Sequence, residues 1–395
     1  MKQYDFDQPI DRHGSGAIKC DMLSAYYGRE DLLPMWVADM DFATPDFILD
    51  ALRQRLEHPV LGYTTTPESY WQAVIEWTEK RHGWQIEREW LCYIPGIVKG
   101  IAMAINALTK PGDRIVIQPP VYHPFRITTE SNGRVVVNNP LIELPEGGYR
   151  MDIEQLEEVA KRGCKLLILS NPHNPAGIVW DRESLQRLAS ICHQHGMVVI
   201  SDEIHCDMAL FGHKHVPFAN VSEEAAACSV TFAAPSKTFN MAGVVSSYAI
   251  VPNEELRHRL FSWIEANEFG APHLFAPIAT EAAYRQGEAW REQMLRYVEQ
   301  NVEFTADFVA RHIPQIKVWK PQASFLVWLD CRALGLDQAA LNDLFVNRAR
   351  LALNDGAMFG REGEGFMRLN VGTPRATLQE ALTRLADAVA ELPLS

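Results

Sequence analysis

Short, continuous apolar runs alternate with segments of helical periodicity between about residue 45 and residue 285. Each run is four to six residues long. Runs without regular polar alternation are typical of strands buried on both faces, and helices between successive strands allow those strands to run parallel. The pattern therefore predicts an α/β fold, with a mostly parallel sheet between helices. The predicted strands are Leu91–Ile94, Arg114–Gln118, Arg134–Asn138, Lys165–Ser170, Met197–Ser201 and Ser229–Ala233.

The pattern changes after about residue 285. A long helical stretch from Glu288 to about Arg311 leads to a strand at Ser324–Leu329, a helix, a strand at Met367–Leu369 and a final helix. A chain of 395 residues is longer than one hydrophobic core usually serves. We expect a large domain over residues 46–286 and a smaller α+β domain formed by residues 1–45 and 287–395.

Prolines indicate where two helices begin. In Thr44-Pro45-Asp46, a threonine N-cap, a proline at the first helical position and a first-turn acid predict a helix that ends near Glu57. The periodicity of Pro67–Arg81 predicts a second helix.

The charge balance argues against nucleic-acid and membrane partners. The chain carries 37 Lys and Arg residues against 50 Asp and Glu residues, a formal net charge of −13. Such a surface repels phosphate backbones and anionic membranes. The seven cysteines are scattered without a Cys-x-x-Cys pair, which is typical of free thiols in a reducing compartment. Without an apolar leader or an apolar stretch near 20 residues, the sequence predicts a cytoplasmic protein.

A glycine-containing turn follows the first predicted strand of the sheet. The segment Pro95-Gly-Ile-Val-Lys-Gly100 leads from Leu91–Ile94 into an apolar helix. At such a turn, backbone amides and a helix N-terminus can face a phosphate, although a plain tight turn explains the glycines as well. The segment matches neither the dinucleotide fingerprint nor the P-loop, so both nucleotide classes lose their main support.

Three further polar segments follow later strands. Ser170-Asn-Pro-His-Asn-Pro-Ala-Gly177 ends one strand with two Asn-Pro steps, and its asparagines can donate to a ligand oxygen or form an Asx-turn. In Ser201-Asp-Glu-Ile-His205, the aspartate can hold a protonated ring nitrogen, cap a helix or join a metal site. In Ala234-Pro-Ser-Lys-Thr-Phe-Asn240, a lysine among uncharged neighbours can form a Schiff base when it is desolvated.

These segments and a late arginine, in this order, resemble the aspartate aminotransferase superfamily, the fold type I pyridoxal phosphate (PLP) enzymes. Met35-Trp-Val-Ala-Asp-Met-Asp-Phe42 and Ser201–His205 are further similar to the MalY/PatB branch of carbon–sulfur β-lyases, which includes cystathionine β-lyases. The resemblance covers nearly the whole chain. It implies a PLP-dependent transferase-like large domain, a smaller α+β domain and PLP as the cofactor.

The resemblance also implies roles around the cofactor ring. Lys237 carries PLP as a Schiff base and later moves protons, and Asp202 pairs with the pyridinium nitrogen. Asn174 donates to the phenolic oxygen, Tyr122 stacks on the ring, and His205 stands where a tyrosine often contacts the phenolic oxygen.

Other implied roles concern the phosphate and the substrate. The amides of Ile97 and Val98 and the hydroxyl of Ser236 hold the phosphate. Tyr63 reaches it from the neighbouring subunit, which implies a homodimer. Arg368 clamps the α-carboxylate of an amino-acid substrate in a two-pronged ion pair. Taken singly, Tyr122 is equally well a core aromatic, Tyr63 a turn residue and Arg368 half of a surface ion pair.

Two positions depart from the superfamily pattern. Many members have a phosphate-binding arginine eight residues after the lysine, where this chain has Val245. A serine or threonine is common three residues before the lysine, where this chain has Ala234. Phosphate binding then depends on Ser236, Tyr63 and the helix N-terminus.

The implied reaction is α,β-elimination of L-cystathionine or a similar S-substituted cysteine to a thiol such as homocysteine, pyruvate and ammonia. Lys237 removes the Cα proton, and Lys237 or Tyr122 protonates the departing thiolate. The closest alternative shares the site: an aminotransferase that uses a 2-oxo acid as acceptor.

Two alternatives belong to other classes. A zinc hydrolase would use donors from a histidine-rich region, but no His-Glu-x-x-His motif occurs, so we predict no metal. The candidate donors are His193, His195, His205, Asp207, His213 and His215. A regulatory binding protein that keeps the fold for protein contacts is the second, and the nearly complete cofactor set makes this at most an added role.

Overall fold

The computed structural model describes residues 2–392. Strands are concentrated in two sheets, with two further short pairs. The strands are β1 (Leu33–Pro34), β2 (Leu91–Ile94), β3 (Arg114–Ile117), β4 (Val135–Asn138), β5 (Ile142–Glu143), β6 (Tyr149–Arg150), β7 (Leu166–Ser170), β8 (Val198–Asp202), β9 (Ser229–Ala233), β10 (Ser247–Ile250), β11 (Lys317–Trp319), β12 (Leu326–Asp330), β13 (Leu351–Ala352), β14 (Asn354–Asp355) and β15 (Phe366–Asn370).

Helices connect most of these strands. They are α1 (Ile18–Asp21), α2 (Leu23–Tyr27), α3 (Asp46–Leu56), α4 (Glu68–His82), α5 (Ile97–Leu108), α6 (Pro124–Ser131), α7 (Ile153–Ala160), α8 (Arg182–Gln194), α9 (Glu223–Cys228), α10 (Glu254–Ala266), α11 (Phe275–Gln286), α12 (Glu288–His312), α13 (Gln338–Asp343) and α14 (Arg375–Ala390).

The large sheet has seven strands in the order β2-β10-β9-β8-β7-β3-β4. Strand β10 is antiparallel to both of its neighbours, and every other pairing in the sheet is parallel. Because β2 and β9 both oppose β10, they point the same way, and six strands end at one edge. The predicted α/β fold with a mostly parallel sheet is confirmed. Strand β10, which lies between β2 and β9, was not predicted from the sequence.

Both faces of the large sheet are buried, which explains its continuous apolar strands. Ile115 and Ile117 of β3 pack in a cluster with α5 and α10, whereas Val116 packs on the opposite face with α7 and α8. These side chains are at most 1% exposed. Burying each of these side chains contributes about 1.5–3 kcal/mol to the free energy of unfolding. Because they point to both faces, helices on both sides of the sheet stabilise the strand.

Two helices begin one residue later than their prolines suggested. Helix α3 starts at Asp46 with Pro45 as the N-cap, and α4 starts at Glu68 with Pro67 as the N-cap. The predicted cap at Thr44 is wrong, because its hydroxyl donates to the backbone oxygen of Asn240. That bond ties the start of α3 to the segment after β9 instead of closing the helix end.

A second sheet lies in the C-terminal part of the chain, in the order β11-β12-β15-β14. The sequence reading expected two strands here. Each missed strand is only two or three residues long, too short to give a periodic signal. Helices α12 and α14 pack near this sheet within one large apolar cluster. The division into domains at residues 45 and 286 stays a prediction, and its outer limits at residues 1 and 395 lie outside the described residues.

The N-terminal segment is fixed by strands from the C-terminal part of the chain. Strand β1 pairs in parallel with β13, and the backbone amide of Met35 donates to Ala352. The side-chain amide of Asn370 donates to the backbone oxygens of Val37 and Asp39, both at 2.7 Å. Residues 35–40 are therefore held beside the end of β15. Within residues 2–392, no helix has the length and apolar character needed to cross a bilayer.

Candidate active site

The polar segments singled out in the sequence meet at the carboxyl edge of the large sheet. Ser170, the last residue of β7, is paired with Asp202, the last residue of β8, and Asp202 is paired with Phe232 of β9. The loops that follow these three strands therefore start side by side. In open α/β sheets, ligands bind at this edge.

Lys237 lies in the loop after β9, and its Nζ donates to the backbone oxygen of Ala38 at 2.6 Å. Burial lowers the pKa of Lys237 to about 8, while the carboxylates of Asp39 and Asp202 oppose that shift. A lysine with a pKa near 8 has an appreciable neutral fraction at neutral pH. It can act as a nucleophile and as a proton acceptor.

Asp202 is buried at the end of β8, and one of its oxygens accepts the amide of Ile204 at 3.1 Å. Burial raises the pKa of Asp202 to about 7, although that hydrogen bond and the charge of Lys237 act in the opposite direction. A carboxyl group in this state is prepared for a cationic partner, because a nearby positive charge would restore its ionised form.

In the cofactor-free protein, the replacement Asp202→Asn is expected to remove a pH-dependent loss of stability. Because the folded state raises the pKa of Asp202 from near 4 to about 7, the stabilisation is full below pH 4 and is lost as the pH rises toward 7. The loss is on the order of a few kcal/mol. Urea unfolding at pH 5 and pH 8 should show a larger drop for wild type than for Asp202→Asn. Parallel pH dependences for the two proteins would contradict the assignment.

Arg368, on β15, is buried and faces the same edge. Its Nη1 donates to Oδ1 of Asn174 at 2.9 Å, and its Nη2 donates to the backbone oxygen of Trp36 at 3.2 Å and to Oδ1 of Asn354 at 2.5 Å. Burial lowers the pKa of Arg368 to about 10, so it stays charged at neutral pH. Its Nε has no hydrogen-bond partner among the described residues. The guanidinium is thus a buried cation held by neutral acceptors, suited to binding a carboxylate.

Tyr122 and His205 lie in the same region of the site. The amide of Tyr122 donates to the backbone oxygen of Asn174 at 3.2 Å. Burial and the charge of Asp202 raise the pKa of Tyr122, so its hydroxyl keeps its proton at neutral pH. Burial lowers the pKa of His205 to about 3, so this ring is neutral, and its Nδ1 has no partner among the described residues.

Two of the predicted phosphate-binding groups, the amides of Ile97 and Val98, lie at the start of α5. Gly96 precedes this helix with a φ of 103°, a value that favours glycine, and the helix begins at Ile97. The first amides of a helix, here those of Ile97 and Val98, have no acceptor within it and can bind an anion. Ser236 is buried in the loop after β9. Val245 packs near Gly96, 3.8 Å from where a Cβ would stand, so the position lacking the arginine does border this region.

Comparison with known proteins identifies the family of this chain. The aminotransferase class I and II family matches residues 30–385, most of the chain. The chain belongs to this family. It is 44% identical over 386 residues to cystathionine β-lyase PatB of Bacillus subtilis, covering 98% of this chain and 100% of PatB. The resemblance to the MalY/PatB branch is thereby confirmed.

Solved structures of similar proteins contain PLP. Cystalysin from Treponema denticola, which contains pyridoxal 5′-phosphate, is 32% identical with a TM-score of 0.95, covering 99% of this chain and 100% of cystalysin. The PLP-bound carbon–sulfur lyase from Staphylococcus hominis is 34% identical with a TM-score of 0.92, covering 99% of each chain. The transferase-type fold of this family member is therefore established over its full described length.

Most of the predicted site residues of this aminotransferase-family chain are brought to one edge of the sheet. Tyr63 is the exception, because its side chain is fully exposed in the segment between α3 and α4. Within residues 2–392 it makes no side-chain hydrogen bond. The individual roles remain predictions, and the one given to Tyr63 depends on a second subunit.

Sequence reasoning missed several groups at the site. The backbone oxygens of Ala38 and Trp36 contact Lys237 and Arg368, and Asp39 acts on the pKa of Lys237. The segment Met35–Phe42 had been noted for its resemblance, but backbone acceptors leave no trace in side-chain identity. Asn354 carried no signal, because it lies in a strand of only two residues, which has no recognisable pattern.

The donors of the zinc alternative are dispersed. Among the described residues, one group of three donors lies within 4.8 Å of one another, namely His82, Cys206 and Asp207. Only Asp207 belongs to the set considered from the sequence. Its carboxylate already bonds Nε2 of His82 and Nε1 of Trp77, both at 3.0 Å. This carboxylate thus has an evident structural role within the family fold.

Proposed function

We propose that the protein is a PLP-dependent carbon–sulfur β-lyase that cleaves L-cystathionine or a similar S-substituted cysteine to a thiol, pyruvate and ammonia. The full-length similarity to a protein named cystathionine β-lyase is the observation that carries the reaction type. The site supports amino-acid chemistry independently, because it combines a lysine with a pKa near 8 and a buried arginine.

The residues present fit PLP. Asp202 is a buried carboxyl group beside Lys237, and burial raises its pKa. A cationic neighbour such as a protonated ring nitrogen would stabilise its ionised form. Nδ1 of His205 and Nε of Arg368 are buried without partners in the described chain. The unbonded amides at the start of α5 suit a phosphate. When bound, PLP supplies an electron sink that stabilises negative charge on the substrate Cα.

Three residues of the chain bind the substrate and transfer its protons. Arg368 binds the α-carboxylate and fixes the orientation of the amino acid. Nζ of Lys237, with its pKa lowered to about 8, accepts the Cα proton at neutral pH. The Cβ–S bond then breaks, and the sulfur takes a proton either from Lys237 or from the hydroxyl of Tyr122, whose raised pKa keeps it protonated.

The reaction type is tested by incubating the PLP-loaded protein with L-cystathionine and no added 2-oxo acid. A lyase releases pyruvate and homocysteine in equal amounts under these conditions. An aminotransferase releases neither in quantity and exchanges amino groups only when 2-oxoglutarate is supplied. Amino-group exchange without release of a thiol would replace the lyase proposal with the alternative that family membership allows.

A homodimer with Tyr63 at the neighbouring site is part of this proposal. Four large side chains of the segment around Tyr63 are more than half exposed: Leu56, Val60, Leu61 and Tyr63. Clustered exposed apolar side chains indicate a contact surface. A small-molecule amino acid remains the expected substrate class, and a cytoplasmic location stays a prediction.

Mixing two inactive variants tests whether the site is shared. Tyr63→Ala and Lys237→Ala are each expected to be nearly inactive in pure form. Random reassociation of the two should restore about a quarter of wild-type activity, because half of the dimers then contain one intact site. The measurement is pyruvate release after joint unfolding and refolding. Absence of any recovery, with dimers present by light scattering, would place Tyr63 at its own subunit's site or at none.

A further inference from the structure

A cavity of about 700 Å³ lies beside Arg368. Two of its lining residues, Trp36 and Asn354, are the residues whose oxygens accept hydrogen bonds from Nη2 of Arg368. A third, His123, follows Tyr122 directly, and the two ring centroids are 5.4 Å apart. The cavity therefore shares walls with the proposed carboxylate clamp and with the proposed proton donor.

Aromatic and flexible apolar side chains form one part of the wall. Tyr26 is 64% exposed and its ring lies 5.0 Å from that of Trp36, while Tyr27 packs edge-on against the same Trp36 ring at 5.3 Å. Met358 is 38% exposed. Exposed aromatic and methionine side chains around a cavity are typical of ligand contact surfaces, and aromatic faces attract cations as well as apolar groups.

Two carboxylates also line the cavity. Asp355 accepts the side-chain amides of Gln338 and Asn342, both at 2.6 Å, and the backbone amide of Ala357 at 2.8 Å. All of these donors are neutral, and no lysine, arginine or histidine lies within salt-bridge distance of Asp355 in the described chain. Its negative charge is therefore uncompensated within that distance.

The second carboxylate, Asp343, lies at the rim. Its only cationic neighbour within 4.0 Å in residues 2–392 is Arg348, at 3.6 Å, and both side chains are about half exposed. Water screens such an exposed pair strongly. Another cation near the rim, Arg29, contacts Asn347 at 3.4 Å but is bonded through two nitrogens to Asp31.

No positive charge among the lining residues balances these two carboxylates. The lining set contains no lysine or arginine in the part of the chain that the structure describes. Burial and the nearby Arg368 lower the pKa of His123 to about 4, so this lining ring is neutral at neutral pH. The charge of Arg368 is matched by the α-carboxylate once an amino acid is bound. The cavity is therefore acidic and partly aromatic.

We propose that this cavity receives the sulfur substituent of the substrate and selects substituents of positive or zero net charge, which include the zwitterionic end of L-cystathionine, over substituents of negative net charge. The proposal rests on the β-lyase function proposed above and names the substrate class of that same site. A π-helical turn at Leu344–Arg348 contributes Val346 and Asn347 to the wall. Such turns often occur where a helix is shaped for a functional site.

Three substrates that differ only in the end of the substituent test the proposal. They are S-(2-aminoethyl)-L-cysteine, S-(2-carboxyethyl)-L-cysteine and the uncharged S-propyl-L-cysteine, each assayed by pyruvate release from the PLP-loaded protein. The thiols differ as leaving groups. For each protein we therefore take the ratio of kcat/KM for the amine substrate to kcat/KM for the carboxylate substrate. This ratio in the wild type is then divided by the same ratio in a variant. The difference in leaving-group chemistry cancels in that division.

The double replacement Asp343→Asn/Asp355→Asn is expected to lower the amine-to-carboxylate ratio about tenfold, the effect of removing two nearby charges from a partly solvated site. The turnover of S-propyl-L-cysteine should change much less. Asp387→Asn, which removes an exposed carboxylate from α14 outside the cavity, should leave the ratio unchanged. Asp343→Asn alone, at the exposed rim, tests the same charge effect if the Asp355 replacement disturbs folding, with a drop of about threefold expected.

Four outcomes separate the possibilities. A ratio that stays within twofold of wild type in a folded double variant overturns the cavity assignment, while pyruvate from S-propyl-L-cysteine still supports the lyase. An equal drop in Asp387→Asn also overturns it, because the effect is then one of overall charge. No pyruvate from any of the three substrates, with L-cystathionine still cleaved, overturns this inference alone. No pyruvate from L-cystathionine either overturns the proposed function itself, and with it this inference.

Discussion

Replacing Lys237 with alanine is expected to lower pyruvate release from L-cystathionine at least about a thousandfold, since one side chain supplies both covalent attachment and proton transfer. The loss should persist with excess PLP in solution. Steady-state turnover at saturating PLP measures it. Because, within residues 2–392, Nζ of Lys237 forms a hydrogen bond only to the backbone oxygen of Ala38, the folded structure should survive. Circular dichroism and thermal unfolding check that point.

A matched variant and a chemical map separate this lysine from the others. Lys110→Ala removes an exposed lysine in a turn and should leave activity within about twofold of wild type, as expected for surface substitutions. Borohydride reduction of the PLP-loaded wild type, followed by peptide mapping, should place the adduct on Lys237. An adduct on another lysine, or full turnover by Lys237→Ala, would overturn the central assignment.

Replacing Arg368 with lysine is expected to raise the KM for L-cystathionine on the order of a hundredfold. A lysine keeps the charge but loses the planar, two-pronged geometry that matches a carboxylate. It also cannot reach Asn174, Trp36 and Asn354 together, as the guanidinium does. Initial rates over a wide range of substrate concentration measure the change, and kcat should fall less than kcat/KM if binding is the main loss.

The cofactor spectrum provides the control for the Arg368 variant. Since Arg368 is assigned to the substrate rather than to PLP, the visible absorbance and PLP affinity of Arg368→Lys should match wild type. Arg361→Lys, an exposed arginine close in sequence, should leave KM unchanged. A KM for Arg368→Lys within twofold of wild type would show that another group binds the carboxylate.

The parallel strands were predicted to within one or two residues because burial on both faces makes them continuously apolar. Ser229–Ala233 matched in full, and Leu166–Ser170 differed by one residue. The antiparallel strand Ser247–Ile250 was missed because its sequence, Ser-Tyr-Ala-Ile, contains only a weak apolar run and follows a loop without helical periodicity. One of its pairing partners, β9, is the preceding strand, but the other, β2, lies more than 150 residues earlier, and pairing at that separation leaves no local signal.

The residues of the candidate site also fall into a group that the sequence predicted and a group that it did not. Side chains that follow a strand in a recognisable motif, such as Asp202 and Lys237, were found from the sequence. Contacts between remote parts of the chain were not, and the bond from Lys237 to Ala38 spans 199 residues. The cavity beside Arg368 was also invisible, because Tyr26 and Asp355 come from opposite ends of the sequence and share no motif.

The bonds from Asn370 to Val37 and Asp39 connect positions more than 330 residues apart. On the ribosome, residues 35–40 emerge well before Asn370, which is made more than 330 residues later. At about 5–20 residues per second, the wait is on the order of half a minute. Until then residues 35–40 lack the two bonds from Asn370, and Arg368 does not yet exist. A nascent chain can therefore form much of its parallel sheet while remaining incompetent for amino-acid binding, so the enzyme matures only after Arg368 and Asn370 have been made.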